Sequence, residues 1–276
     1  MAISAADVKK LRDMTGSGMM DCKKALAEAD GDFDKAIEIL RKRGEKVAAK
    51  RGDRDAKEGV VISQVSSDKT FGVIVRLSCE TDFVAKGDDF ISFAQKIADI
   101  ALENKPADRD ALMALPMEGD LTVQDKVTEL VGRINEKIDI TAYEQLTGEQ
   151  ISPYIHSGYR AGVLVSLNQA SEQAFEAGRN VAMQVAAMRP VALDKDAVDQ
   201  AIIDKEIEIG KDIARQEGKP EAIIEKIAMG KLNKFFKENT LLSQDYVKGN
   251  KESVAQYLNQ VNNGLTATAF KHVELG

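Results

Sequence analysis

Four side chains in this 276-residue sequence belong to the types that most often bind metals or act as nucleophiles and bases at neutral pH: Cys22, Cys79, His156 and His272. They are scattered, with no CxxC pair and no histidines at helical spacing, so neither a zinc centre nor a disulfide framework is expected. His156 could serve as a general base, but a lone histidine beside an apolar run is more often structural or a contact residue. The 45 Asp and Glu residues reflect charge composition and nominate no acid/base pair. There is no GxxxxGK[ST], no GxSxG and no HExxH. Gly16-Ser17-Gly18 lacks a third glycine and follows no strand, so it is not a dinucleotide fingerprint. Neither an enzyme nor a bound metal or cofactor is expected.

Cys79-Glu80-Thr81-Asp82-Phe83-Val84-Ala85-Lys86 carries a different chemistry, that of binding. It follows an apolar β-type run and precedes a helical one, so it forms a loop or a helix entry. Phe83 is a large apolar side chain among Glu80, Asp82 and Lys86. Such an aromatic either packs under the following helix, the reading that periodicity favours, or stands out as a binding anchor.

The elements around that loop follow from apolar periodicity. Ser4 with Asp7 opens a helix carrying Val8 and Leu11 on one stripe, and Gly16-Ser17-Gly18 closes it. A second helix covers about Met19 to Ala29. A third, with Phe33, Ile37 and Leu40 on one face, covers about Asp32 to Arg43 and is expected to stop at Gly44. Glu45 to Glu58 is highly charged and reads as a helix end and solvated linker. An RNA or ribosome contact through Arg41 to Arg54 is the alternative there.

From Gly59 the pattern changes to strands. Val60-Val61-Ile62 and Phe71 to Leu77 flank the turn Ser66-Ser67-Asp68, and a helix from about Asp88 to Glu103 follows. Ala161 to Leu167 mirrors Phe71 to Leu77, and Val181 to Ala186 mirrors Phe93 to Ala98, which favours two related α/β halves over a chance likeness of strands. Val198, Ile202, Ile209 and Ile213 are spaced four, seven and four, as in a coiled-coil seam. Glu217-Gly218-Lys219-Pro220 breaks that helix, and Ile223, Ile224, Ile227 and Ala228 begin another, which together predict an inserted helical hairpin. A short helix near Ser253 to Leu258 and a strand from Thr266 to Leu275 complete the second half.

Composition narrows the function classes. Hydrophobic residues are 43%, charged residues 30% and aromatics 5%, with no tryptophan, which fits a largely aliphatic, largely helical core. A net charge of −7 argues against nucleic acid as the main ligand. No stretch has the length and apolarity of a membrane span, and the start, Met1-Ala2-Ile3-Ser4, lacks the features of a signal peptide. With only two cysteines, a reducing cytoplasm is the expected location.

Thr81-Asp82-Phe83-Val84 resembles the signature loop of the elongation factor Ts family. Val8 to Arg12 with Thr15 to Leu26 is similar to a second block of that family, and Tyr154-Ile155-His156 with Gly158 to Val165 to a third. Val181 to Ala187 and Gly218-Lys219-Pro220 match further. These five blocks occur in order along nearly the whole chain. The resemblance implies an α+β protein: an N-terminal three-helix ubiquitin-associated-like domain (1–55, with linker), a first core half carrying the Thr-Asp-Phe-Val loop (56–142), and a second half (143–276) with an antiparallel coiled-coil hairpin at about 195–235. It implies elongation factor Tu, GDP-bound or nucleotide-free, as the partner, with no membrane and no direct nucleic-acid contact. Thr81, Asp82, Phe83 and Val84 would then dislocate the partner's Mg²⁺. Val8, Leu11, Arg12, Met19, Met20, His156, Gly158 and Gly162 would contact the partner, although the alternative place for Met19 and Met20 is the bundle core. A binding adaptor without effect on nucleotide, or an RNA-binding factor, is the alternative function.

Overall fold

A computed structural model describes residues 3–276, so Met1 and Ala2 of the start read above lie outside it. The N-terminal segment forms α1 (Ala5–Thr15), α2 (Met19–Glu28) and α3 (Phe33–Arg51). Ser4 and Asp7 make a reciprocal cap: the Asp7 N–H donates to Ser4 Oγ at 3.1 Å and the Ser4 N–H to Asp7 Oδ2 at 3.0 Å. Gly16, at φ +66°, takes the left-handed position that ends α1. Val8, Leu11, Cys22, Ala25, Leu26 and Ala36 form the small core between the helices.

α3 does not stop at Gly44; it runs two turns further, to Arg51. Gly44 is buried, and a Cβ added there would lie 3.1 Å from the Thr128 carbonyl oxygen of a facing helix. A Cβ on Gly132 of that helix would come within 2.7 Å of Gly44 Cα. The glycine serves a close helix crossing rather than a terminus. Its intrinsic cost in a helix interior, about 1 kcal/mol, is offset by the packing it permits.

Next come β1 (Glu58–Val65), β2 (Phe71–Cys79), the single turn α4 (Asp82–Ala85), α5 (Asp88–Asn104), α6 (Arg109–Met113), the small ribbon β3 (Pro116–Glu118) and β4 (Leu121–Thr122), α7 (Val123–Ile134) and β5 (Ile138–Thr147). The sheet order is β1-β2-β5, antiparallel throughout. Period-two alternation sends Phe71, Val73, Val75 and Leu77 to one face, where they pack against Phe90, Ala94 and Ile97 of α5 and Val127, Leu130 and Val131 of α7. α7 is the helix that Gly44 crosses. β5 spans the expected division at 142/143, and its pairing with β2 as far as Thr147 opposite Phe71 ties it to the first sheet.

The second sheet, order β6-β7-β8, is built from β6 (Gln150–Ile155), β7 (Ala161–Leu167) and, after α8 (Glu172–Met188), α9 (Gln200–Gln216), α10 (Glu221–Asn239) and α11 (Val254–Val261), the closing strand β8 (Ala267–Glu274). Its connection order repeats that of the first: a hairpin, helices over the central strand, then a third strand on the free edge. Phe71 to Leu77 and Ala161 to Leu167 occupy the two central strands. The sheets meet face to face through Val61, Ile74, Ile151, Leu164, Val273 and Leu275. The molecule is therefore α+β, with small antiparallel sheets. Among the described residues no helix is long and apolar enough to cross a membrane.

α9 and α10 pair as a hairpin about the turn at 217–220, but not along the expected seam. Ile209 and Ile213 are 39% and 36% exposed. The buried positions are Gly210 and Ala214 on α9 and Ile224, Ala228 and Leu232 on α10. Gly210 faces Ala228, whose Cα would lie 3.0 Å from an added Cβ. Small residues bring the two backbones together, and the larger isoleucines one position away turn outward.

Candidate functional site

Thr81 opens α4 as its N-cap, with Val84 N–H directed at the Thr81 hydroxyl at 3.5 Å. The turn faces two ways. Ala85 is buried and Val84 half-buried against the first core, while Phe83 points away and is 86% exposed. Phe83 thus does not pack under α5; Phe90 takes that place. Asp82 accepts a hydrogen bond from Lys86 Nζ at 2.6 Å, and this ammonium, with backbone N–H groups, holds the carboxyl below its usual range.

A four-residue helix has no stability of its own, and acidic anchors hold this one. Glu136, in the turn after α7, accepts the Thr81 N–H at 3.1 Å with one oxygen and the Thr81 hydroxyl at 2.8 Å with the other. Glu80 accepts the Lys137 N–H at 2.6 Å, Arg51 at 2.7 Å and Arg54 at 3.0 Å. These donors, the Lys137 amide foremost, hold the Glu80 carboxyl down at about 2. The Cys79 thiol, donating to the Thr81 carbonyl at 3.2 Å, is pushed up to about 12 by burial and by Glu136 nearby.

The N-terminal helices reach the loop. Arg12, Asp13 and Gly16 share an open cleft of about 600 Å³ with Phe83, Val84, Asp89 and Arg133. Met19 and Met20 are 46% and 62% exposed, so neither belongs to the bundle core. Val8 and Leu11 do belong to it, and in the free chain both are buried. His156 and Gly158 are exposed in the loop between β6 and β7, with Tyr154 Oη 3.1 Å from His156 Nδ1. That loop lies at the end of the first sheet where Glu80 emerges: Arg160 approaches Glu58 at 4.0 Å, and Glu58 pairs with Cys79. Gly162 is different. It is buried between the sheets, where an added Cβ would meet Val61 Cγ1 at 2.8 Å, so it has a packing role there.

Residues 80–276 match the family described as Elongation factor TS. Over 274 residues, 99% of both chains, the sequence is 54% identical to an elongation factor Ts of Christiangramia forsetii and 53% identical to one of Cytophaga hutchinsonii. It is 46% identical over 276 residues to one of Porphyromonas gingivalis, covering 100% of this chain and 99% of the relative. The chain belongs to the elongation factor Ts family.

In this member of the elongation factor Ts family, the family match begins at Glu80, the anchored residue that introduces the exposed loop. Sequence reasoning found the loop but missed its anchors. Arg51 and Arg54 lie in the stretch read as a solvated linker, and Glu136 looks like any surface acid. The one available signal was Asn135-Glu136-Lys137, a polar break between an amphipathic helix and a β-type run. Nothing in the sequence says which loop such a break will touch.

Proposed function

We propose that this protein is a guanine-nucleotide exchange factor of translation elongation, acting in the cytoplasm on elongation factor Tu. The observation that carries the reading is Phe83: a large apolar side chain, 86% exposed, on a turn whose remaining residues are fastened. Exposed singly, an aromatic means little; held out on a rigid turn beside a second protein-facing surface, it suits an anchor.

A GTPase holds GDP through loop amides and Mg²⁺ at the phosphates. In the proposed mechanism the complex forms on the GDP-bound partner. The N-terminal helices, a ubiquitin-associated-like domain in this reading, dock on the GTPase domain through Arg12, Met19 and Met20. Phe83 then wedges against the element that positions the metal, and Asp82 helps to hold the displaced state. Losing Mg²⁺ removes the largest positive charge beside the phosphates. GDP leaves, and the nucleotide-free partner stays bound until GTP enters. The loop at His156 and Gly158 faces other parts of the partner. This chain performs no bond chemistry and holds no cofactor in this reading. The RNA-binding alternative is less well supported, because Arg51 and Arg54 are already engaged by Glu80.

The test is release of a fluorescent GDP analogue from elongation factor Tu, chased with unlabelled nucleotide. Substoichiometric protein should accelerate release strongly. Phe83→Ala should slow the saturated rate at least about tenfold, corresponding to about 1.4 kcal/mol of lost coupling, with docking largely kept. Binding without accelerated release would leave an adaptor.

A further inference from the structure

The contacts around Glu136 have a consequence beyond local order. Glu136 captures both polar hydrogens that Thr81 offers, the amide and the hydroxyl, leaving a hydroxyl lone pair to face Val84 N–H. Its neighbour Lys137 turns the other way. The Lys137 ammonium donates to the carbonyls of Gly52 at 2.6 Å and Arg54 at 2.8 Å, in the chain leaving α3. The Lys137 amide donates to Glu80, which also receives Arg51 from the last turn of α3. Upstream, α3 and α7 are pressed together at Gly44 and Gly132. The Asn135–Lys137 turn thus joins the end of α7, the end of α3 and the base of the exposed loop.

We propose that Glu136 is a positioning residue for exchange: through Thr81 it holds α4 so that Phe83 keeps one orientation relative to the N-terminal helices. This rests on the exchange reading above. Docking of those helices then delivers Phe83 already aimed. Without Glu136 the turn must be ordered after docking, and the ordering cost falls on the step in which the metal is displaced rather than on encounter. Glu136 is half-buried, and its hydrogen bonds to the loop both run to Thr81.

The test compares wild type, Glu136→Ala, Glu136→Gln and Phe83→Ala in the GDP-release assay on elongation factor Tu, reading the saturated rate and the half-saturating concentration separately. Glu136→Ala should lower the saturated rate about tenfold while moving the half-saturating concentration less than about twofold. Glu136→Gln, whose single amide oxygen can keep one of the two hydrogen bonds from Thr81, should recover part of that loss. If thermal unfolding shows that Glu136→Ala does not fold, Thr81→Val, which removes only the hydroxyl contacts, carries the same expectation of a lower saturated rate. A wild-type saturated rate in the alanine variant, or a change confined to the half-saturating concentration, would overturn the positioning role. If Phe83→Ala is also as fast as wild type, the wedge reading itself fails; if Phe83→Ala is slow and Glu136→Ala is not, only the role of Glu136 fails.

Discussion

Phe83 and Glu80 sit three residues apart and have opposite relations to the rest of the molecule. Phe83 touches little, so truncating it should leave folding stability within about 0.5 kcal/mol of wild type, as for surface positions generally, while exchange falls. Urea denaturation set beside the release assay checks this separation. Glu80 is held by three donors, and its carboxyl at about 2 in the folded chain compares with an ordinary 4.5. The sign follows from linkage. The folded value is depressed, so the stabilisation is complete above about 4.5 and is lost as pH falls toward about 2. Glu80→Gln should therefore cost about 1 kcal/mol at neutral pH, with the gap from wild type closing as pH falls through that window. Denaturation curves across the range would read it; a gap independent of pH would mean that the charge of Glu80 contributes nothing. Cys79, its thiol pushed up to about 12, should resist alkylation at pH 8 in the folded protein and react readily once unfolded.

At the scale of elements, glycines decide contacts that larger residues only fill. A Cβ on Gly162 would press into Val61 between the two sheets, so Gly162→Ala should cost about 1–3 kcal/mol of stability through overpacking. Partner affinity measured well below the melting temperature should not change, which separates packing from contact. The hairpin offers a matching pair. Ile224→Ala, in the buried seam, should lose about 2–5 kcal/mol of local stability, whereas Ile209→Ser, at a partly exposed position, should lose only about 1 kcal/mol. Amide exchange in α9 and α10 distinguishes them. The expected seam through Val198, Ile202, Ile209 and Ile213 counted large apolar residues; of these only Val198 is buried. The actual seam puts Gly210 and Ala214 at its centre, because close backbone approach favours the smallest side chains.

For the whole molecule, the arrangement links the exposed Phe83 turn to the N-terminal helices through a continuous set of contacts. α3 lies across α7 at Gly44 and Gly132, the turn after α7 grips α4, and Arg12 opens onto the cleft that contains Phe83. Contacts of this kind can couple docking to nucleotide release, and linkage requires the coupling to be reciprocal. In the proposed mechanism, the factor by which this protein weakens GDP binding to elongation factor Tu equals the factor by which GDP weakens binding of this protein. Calorimetry of this protein binding to GDP-bound and to nucleotide-free elongation factor Tu tests the coupling: tighter binding to the nucleotide-free form is expected, and equal affinities would mean that docking and GDP are not coupled.

The sequence by itself determined the three N-terminal helices, the first hairpin and the helix after it, the likeness of Ala161–Leu167 and Val181–Ala186 to that passage, the helical hairpin and the position of the Thr81–Val84 loop, because apolar periodicity, caps and turns are local properties; α6, α7 and β5 between them were not read from it. It left the side of Phe83 open, since one aromatic in a single helical turn has no periodicity to decide which way it faces. It read Gly44 as an end and Arg51 and Arg54 as part of a linker, for the same reason in each case: the partner that gives the residue its meaning lies far away in the chain. Gly44 meets Gly132, the two arginines meet Glu80, Gly162 meets Val61, and Thr81 meets Glu136. Only the tertiary structure could decide these, because steric exclusion and charge pairing act through space and leave no spacing in the sequence.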